Sequence, residues 1–217
     1  MVLLMAGMNF LSHGSQDLYP TLLANEFRFS PNLVTVTQVV ANLGAMAGGT
    51  VVGYASQILG RRFSLVGTAV VGGALLYPYT AVSSGKGGVI AAAALEQFCV
   101  QGAWGVIPIH LMELSPGQFR AFVVGTSYQL GNLVSSASST IEATIGERFP
   151  LPDGEGGVKR YQYGRVICVF LGCVYAYVVV LTVLGPEFRG RSMEVGGEGE
   201  GEGEGDAVDE GGEEKKD

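Results

Sequence analysis

The chain has 217 residues, of which 47% are hydrophobic and only 15% are charged. Residues 192–217 carry a net charge of −9, which leaves +2 on residues 1–191. Long apolar runs with so few charges exclude a soluble cytosolic domain, a nucleic-acid binder with a basic surface and a disulfide-stapled secreted module. Its three cysteines lie inside apolar runs without metal-ligand spacing, which indicates packing.

Six segments are long enough to cross a bilayer, which requires about 20 mostly apolar residues in a helix. The segments cover residues 2–25, 32–58, 63–83, 88–113, 118–146 and 161–185. The sequence therefore predicts an all-α membrane protein with a six-helix transmembrane bundle over residues 1–190. Residues 191–217, in which Gly and Glu alternate over 197–205, cannot bury apolar surface, so we expect a disordered acidic tail.

Glycines recur at helical spacing in the second segment, where Gly44 and Gly48, and Gly49 and Gly53, form small-xxx-small pairs. Such pairs let helix backbones approach closely inside a membrane. Gly72 and Gly73 in the third segment and Gly102 with Gly105 in the fourth are expected to allow similar close packing. We expect these glycines to face neighbouring helices; exposure to lipid is the alternative.

The first segment carries hydrogen-bonding side chains that recur on one helical face. Residues three and four positions apart share a face of a helix. The stripe contains Asn9, Ser12, His13, Ser15, Gln16, Asp17 and Thr21. Ionisable groups at membrane depth are costly and usually mark a substrate or ion pathway, so His13 and Asp17 indicate proton handling.

Two other interpretations of this stripe remain open. The polar groups could simply join helices by hydrogen bonds. A hydrolase with a Ser-His-Asp triad is suggested by the residue types, but no G-x-S-x-G context accompanies them. The fifth segment carries a second polar stripe, in which Gln129 and Asn132 are the strongest candidates to touch a ligand, and Glu142 lies near its outer end.

The full string from Asn9 to Thr21, N-x-x-S-H-x-S-Q-D-x-x-x-T, resembles the signature of fungal Jen-type monocarboxylate/proton symporters of the major facilitator superfamily. Residues 53–62 resemble the superfamily's loop motif, with Gln57 where an acidic residue is usual. The motif positions are Gly53, Gly60, Arg61 and Arg62. The likeness covers about residues 1–190.

The resemblance implies that the six segments are helices seven to twelve, the C-terminal half of a twelve-helix transporter. It places Asn9, His13 and Asp17 on the substrate path, with Gln129 facing the same path from helix eleven. It also implies a multi-pass protein of the plasma membrane, with Arg61, Arg62 and the acidic tail on the cytoplasmic side.

The resulting hypothesis is a transporter, not an enzyme, that moves short carboxylic acids such as lactate, pyruvate or acetate by proton symport. The expected partners are the lipid bilayer, the small monocarboxylate and either a missing N-terminal six-helix half or a second copy of the chain. Nucleic acid, metals and cofactors other than the coupling proton are not expected. The substrate residues are Asn9, Ser12, Ser15, Gln16, Thr21, Gln129 and Asn132, and the proton-coupling residues are His13 and Asp17.

No basic residue lies deep in a predicted helix, which leaves His13 as the only candidate cation for a carboxylate in this chain. The resemblance implies that the first half of the transporter supplies an arginine. We therefore expect a partial chain or half-transporter. The alternatives are a non-transporting half that binds full-length relatives or remains inactive, and a transporter of another acid such as sialate.

Overall fold

A computed structural model describes residues 1–81, 85–152 and 160–186 of the chain. Within these ranges the structure is almost entirely helical, as the all-α prediction requires. The helices are α1 (Val2–Gln16), α2 (Tyr19–Asn25), α3 (Pro31–Leu59), α4 (Arg61–Thr80), α5 (Lys86–Leu114), α6 (Arg120–Ser135), α7 (Ser138–Gly146) and α8 (Tyr163–Leu184). A 3₁₀ turn spans Gly117–Phe119, and strands β1 (Pro150–Leu151) and β2 (Arg160–Tyr161) pair antiparallel. The predicted tail lies outside the described residues.

Four of these helices, α3, α4, α5 and α8, are long and apolar enough to cross a membrane. They correspond to the second, third, fourth and sixth predicted segments, with ends that differ by only a few residues. Several large apolar side chains are exposed, including Leu133 at 70% and Phe122 at 72%. A soluble monomer rarely exposes such faces, so they require lipid or another protein surface.

The prediction of one continuous helix over residues 2–25 is wrong. Helix α1 ends at Gln16, a bend follows at residues 17–18, and α2 begins at Tyr19. Pro20 explains the break, because its ring cannot donate a hydrogen bond and clashes with the carbonyl four residues earlier, which belongs to Gln16. Thr21 therefore lies on a different helix from Asn9 and His13.

The fifth segment is also divided, into the 3₁₀ turn, α6 and α7, with a turn at residues 136–137. Near this turn the hydroxyls of Ser135 and Ser136 donate to the carbonyl oxygens of Asn132 and Leu133, three residues back. Serine hydroxyls that bond back to the preceding turn bend helices. Both polar stripes therefore run into a helix break.

Glycines bring α3 and α5 into close contact, which confirms the glycine-packing prediction for this pair. A Cβ added at Gly44 or Gly48 would overlap the carbonyl oxygen of Ala94 or Phe98 on α5. In the opposite direction, a Cβ at Gly105 would overlap the carbonyl oxygen of Gly49. On α4, Gly72 faces the ring of Tyr175, while Gly73 has only a distant contact.

Helix α1 runs through the interior of the described structure and contacts α5, α6, α7 and α8. Its Met8 and Leu11 side chains are fully buried, as are Ile107 on α5 and Leu171 on α8. This position places the polar side chains of α1 against those of several other helices.

Candidate functional site

His13, in the last turn of α1, joins the two polar stripes. Its Nδ1 lies 3.2 Å from Oδ2 of Asp17, and its Nε2 lies 3.0 Å from Oδ1 of Asn132 on α6. The His13 and Asp17 side chains retain 34% and 38% exposure, so this group is not sealed inside the bundle. The sequence predicted all three residues as candidates, and the structure brings them together.

The amide side chains of Gln16 and Gln97 connect α1 to α5. Nε2 of Gln16 donates to Oε1 of Gln97 at 3.0 Å, and Nε2 of Gln97 donates to the Ser15 hydroxyl at 3.2 Å. Ser15 is fully buried and also donates to the Ser12 carbonyl. Ser15 thus lies in a contact between helices.

Trp104 on α5 lies beside the predicted substrate residues of α1. Its Nε1 donates to the Ser12 hydroxyl at 2.6 Å, and its ring packs edge-on against Tyr128 of α6 with centroids 5.9 Å apart. The indole therefore holds the Ser12 hydroxyl by a hydrogen bond and packs between α1 and α6.

Two open cavities meet at Trp104. A cavity of about 640 Å³ is lined by polar and apolar residues of α1, α3 and α5: Gln16, Asn42, Ala45, Met46, Gly49, Thr50, Gln101, Trp104 and Gly105. A smaller, mostly apolar cavity of about 340 Å³ is lined by Met5, Trp104, Ile107, Pro108, Leu111, Val124, Gly125, Tyr128 and Gln129. Neither set of lining residues includes a lysine or arginine.

The remaining predicted substrate residues occupy different surroundings. Asn9 is 3% exposed, and its Nδ2 donates to the carbonyl of Met5 in its own helix. Thr21 is half-buried on α2, beyond the bend. Gln129 is exposed and lines the smaller cavity.

Sequence reasoning missed Asn42, although the signal was present. Asn42 is a polar residue in the middle of the apolar helix α3, and polar groups at such positions usually face a cavity or another helix. It faces the larger cavity, together with Gln101. Both side chains offer amide N–H donors of the kind that a carboxylate accepts.

The loop motif between α3 and α4 is held by buried charges. Arg61 is 8% exposed, and its Nη2 lies 3.2 Å from Oε1 of Glu113 at the end of α5, while its Nη1 donates to the Ser56 hydroxyl at 2.7 Å. Arg62 donates to the carbonyl oxygens of Thr182 and Val183 in the last turn of α8. The acidic partner of Arg61 is thus Glu113 on α5. The position of the motif that usually holds an acidic residue is occupied by Gln57 on α3.

Glycines shape the same loop motif. Gly60 has a φ of +98°, which residues with a Cβ rarely adopt, so it makes the sharp turn from α3 into α4. A Cβ at Gly53 would lie 3.1 Å from the Gly105 carbonyl oxygen, so Gly53 belongs to the close contact between α3 and α5.

Residues 1–196 match the family described as sugar (and other) transporter. The chain belongs to this family. A carboxylic acid transporter protein homolog from Saccharomyces cerevisiae is 41% identical over 194 residues, which are 89% of this chain and 31% of the yeast protein. This match confirms the predicted resemblance to Jen-type permeases of the major facilitator superfamily.

Solved transporter structures share the fold. The xylose transporter XylE from E. coli, in a partially occluded inward-open conformation, superposes with a TM-score of 0.65 at 17% identity, over 86% of this chain and 47% of XylE. A double-tryptophan mutant of XylE gives a TM-score of 0.64 at 18% identity, over 88% of this chain and 46% of the mutant. The chain therefore spans about a third of the yeast relative and about half of XylE.

Proposed function

We propose that this chain forms one half of a proton-coupled transporter of short monocarboxylic acids in the plasma membrane. The yeast relative is described as a carboxylic acid transporter homolog, and the chain spans about half of XylE. In transporters of this type the substrate binds near the midplane between two halves that rock against each other. The other half is the remainder of a longer protein or a second copy.

The surroundings of His13 carry this proposal. Both atoms that face its ring nitrogens, Oδ2 of Asp17 and Oδ1 of Asn132, are hydrogen-bond acceptors. An imidazole can donate from both nitrogens only when it carries the second proton. Both N–H groups of a doubly protonated His13 would therefore find an acceptor, next to the partly exposed Asp17.

The larger cavity supplies hydrogen-bond donors for the acid. Amide groups of Asn42 and Gln101 line it, and Gln16 reaches it from α1. A carboxylate bound there would accept N–H groups, and Trp104 would exclude water from its apolar end. Gln129 and Tyr128 would contact the substrate from α6, by way of the smaller cavity. Proton and anion would cross together, so that little net charge enters the bilayer core.

The orientation forms part of the proposal. Arg61 and Arg62 face the cytoplasm, together with the acidic tail. The Asp17 end of α1 then faces outward, where protons and acid anions are taken up.

Substrate-driven proton movement tests this function. The full-length protein that contains this chain is expressed in cells lacking carboxylate uptake, and external pH is recorded while lactate, pyruvate, acetate or xylose is added. We expect the medium to become alkaline with the three acids and to remain unchanged with xylose. Proton-independent uptake, or xylose uptake alone, contradicts the proposal. Absence of any uptake combined with co-purification of a full-length permease would instead indicate a non-transporting partner.

A further inference from the structure

Glu142 on α7 is a buried carboxylate that the proposed site does not yet use. Its side chain is fully buried, and neither Oε1 nor Oε2 has a hydrogen-bond partner in the part of the chain that the structure describes. Ionised carboxylates are rarely buried without a cation or several donors, because the lost hydration is then not replaced. A protonated carboxyl group fits such surroundings far better.

The space for this carboxyl group is made by a glycine of α1. A Cβ at Gly14 would lie 3.1 Å from Oε1 of Glu142 and would overlap the ring of Phe170 on α8. Gly14 directly follows His13 in the sequence. Glu142 therefore lies against the turn of α1 that carries the His13 group.

The neighbouring titratable groups are few. Asp17, at the bend after α1, follows Gly14 by three positions in helical backbone conformation and therefore shares the face of α1 that lies against Glu142. From α8 the neighbour at Gly14 is the apolar Phe170, and Tyr163 packs one turn farther along α7 against Gly146. Among the described residues on this face of α1, Asp17 is thus the carboxylate nearest in sequence to the glycine that Glu142 contacts.

Two neighbouring carboxylates resist being charged together, so the pair favours holding one proton between them. Asp17 is partly exposed and bonded to His13, whereas Glu142 is sealed from water. In the conformation described here, the proton therefore belongs on the buried Glu142.

Resting on the proposed function, we propose that Glu142 is the inner proton carrier of the transporter and shares one proton with Asp17. In the transfer, the O–H bond of the Asp17 carboxyl breaks and an O–H bond forms on Glu142. The negative charge passes from Glu142 to Asp17, where His13 stabilises it. No oxidant, metal or further reactant takes part.

The test separates proton coupling from substrate binding. Glu142→Gln keeps the shape of a protonated carboxyl group but cannot release the proton. In the intact transporter we expect exchange of labelled for unlabelled lactate to stay within about two-fold of wild type, because exchange needs no net proton movement. Accumulation driven by a pH gradient is expected to fall by at least about ten-fold, because the amide has no proton to release. A factor of ten in rate corresponds to about 1.4 kcal/mol. Unchanged accumulation would overturn the proposal.

Glu96→Gln is the matched control, because Glu96 is equally buried but accepts a 2.6 Å hydrogen bond from Tyr175 on α8. We expect its ratio of accumulation to exchange to match that of wild type. An equal loss of accumulation in both variants would mean that any buried carboxylate is required, which contradicts a specific role for Glu142.

Infrared spectroscopy of the purified intact transporter keeps the assignment testable even if no transport is found. The wild type should show the carbonyl band of a protonated carboxyl group at neutral pH, and Glu142→Gln should lose one such band. If Glu142→Gln does not fold, Glu142→Asp should shift this band instead. A spectrum that is the same in wild type and the folded variant would overturn the proposal, independently of the substrate.

Discussion

Nε2 of His13 lies 3.0 Å from Oδ1 of Asn132, a residue 119 positions later in the chain. This contact joins the polar face of α1 to that of α6 next to the breaks that interrupt both segments. The proton site is therefore formed by two helices. The α1 segment supplies His13 and Asp17, and α6 supplies Asn132 as the second acceptor.

Asn132→Leu should therefore impair transport without removing any titratable group. The substitution deletes the acceptor for the His13 Nε2–H, and hydrogen bonds to charged groups contribute about 1.5–3 kcal/mol. We expect uptake at saturating pH gradient to fall roughly ten- to hundred-fold, as measured with labelled lactate in the intact transporter. Ser136→Ala is the control, because Ser136 bonds only to a carbonyl of its own helix in the described structure. Equal uptake by wild type and Asn132→Leu would argue against the two-helix site.

Gly48→Ala should destabilise the bundle, because its Cβ would overlap the Phe98 carbonyl oxygen on α5. Overpacking of this kind costs about 1–3 kcal/mol, and backbone atoms cannot rotate away as a side chain can. We expect a lower melting temperature in detergent. Gly67→Ala is the matched control, since no other group lies within 4 Å of the added Cβ. A similar melting temperature for both variants would show that the α3–α5 contact is looser than described.

Glu113→Gln should destabilise the loop between α3 and α4. Removing one member of a buried ion pair leaves the other charge uncompensated and costs roughly 3–5 kcal/mol. Arg61→Met combined with Glu113→Leu should recover most of this loss, because neither charge then remains buried. Thermal unfolding of the single and double variants measures the difference. A double variant less stable than Glu113→Gln would contradict this account.

Glu26, beyond the end of α2, should make stability depend on pH. Burial raises the pKa of its carboxyl, and the N–H groups of Gly164 and Tyr163 and the charge of Arg160 offset only part of the shift. Because the folded pKa exceeds the unfolded one, the contribution of Glu26 to stability is greatest in acid. That contribution is lost as pH rises through the folded value.

Glu26→Gln cannot ionise, so its melting temperature should exceed that of wild type at neutral pH, and the advantage should shrink toward pH 4, approximately. The amide oxygen can still accept the N–H of Gly164, which donates to Glu26 at 3.1 Å. Glu147→Gln, at an exposed position, is the control. An advantage that does not vary with pH would contradict the assigned cause.

The sequence predicted the long apolar spans and the glycine contacts of α3 because both depend on local composition and spacing. It did not predict the bend after Gln16, although Pro20 signals it, because the apolar pattern continues across the break. The burial of Glu142 could not be read from α7 alone, since the space for its carboxyl group is made by Gly14 on another helix. The separation of Thr21 from the stripe follows from the same missed bend.

The most direct test of the central claim is proton movement by the intact transporter carrying His13→Ala. Internal pH and labelled lactate uptake are followed together, with wild type as reference and Ser136→Ala as control. The account predicts that the variant loses lactate-driven proton entry and its dependence on external pH. Lactate uptake that still carries protons with the wild-type pH dependence would contradict it.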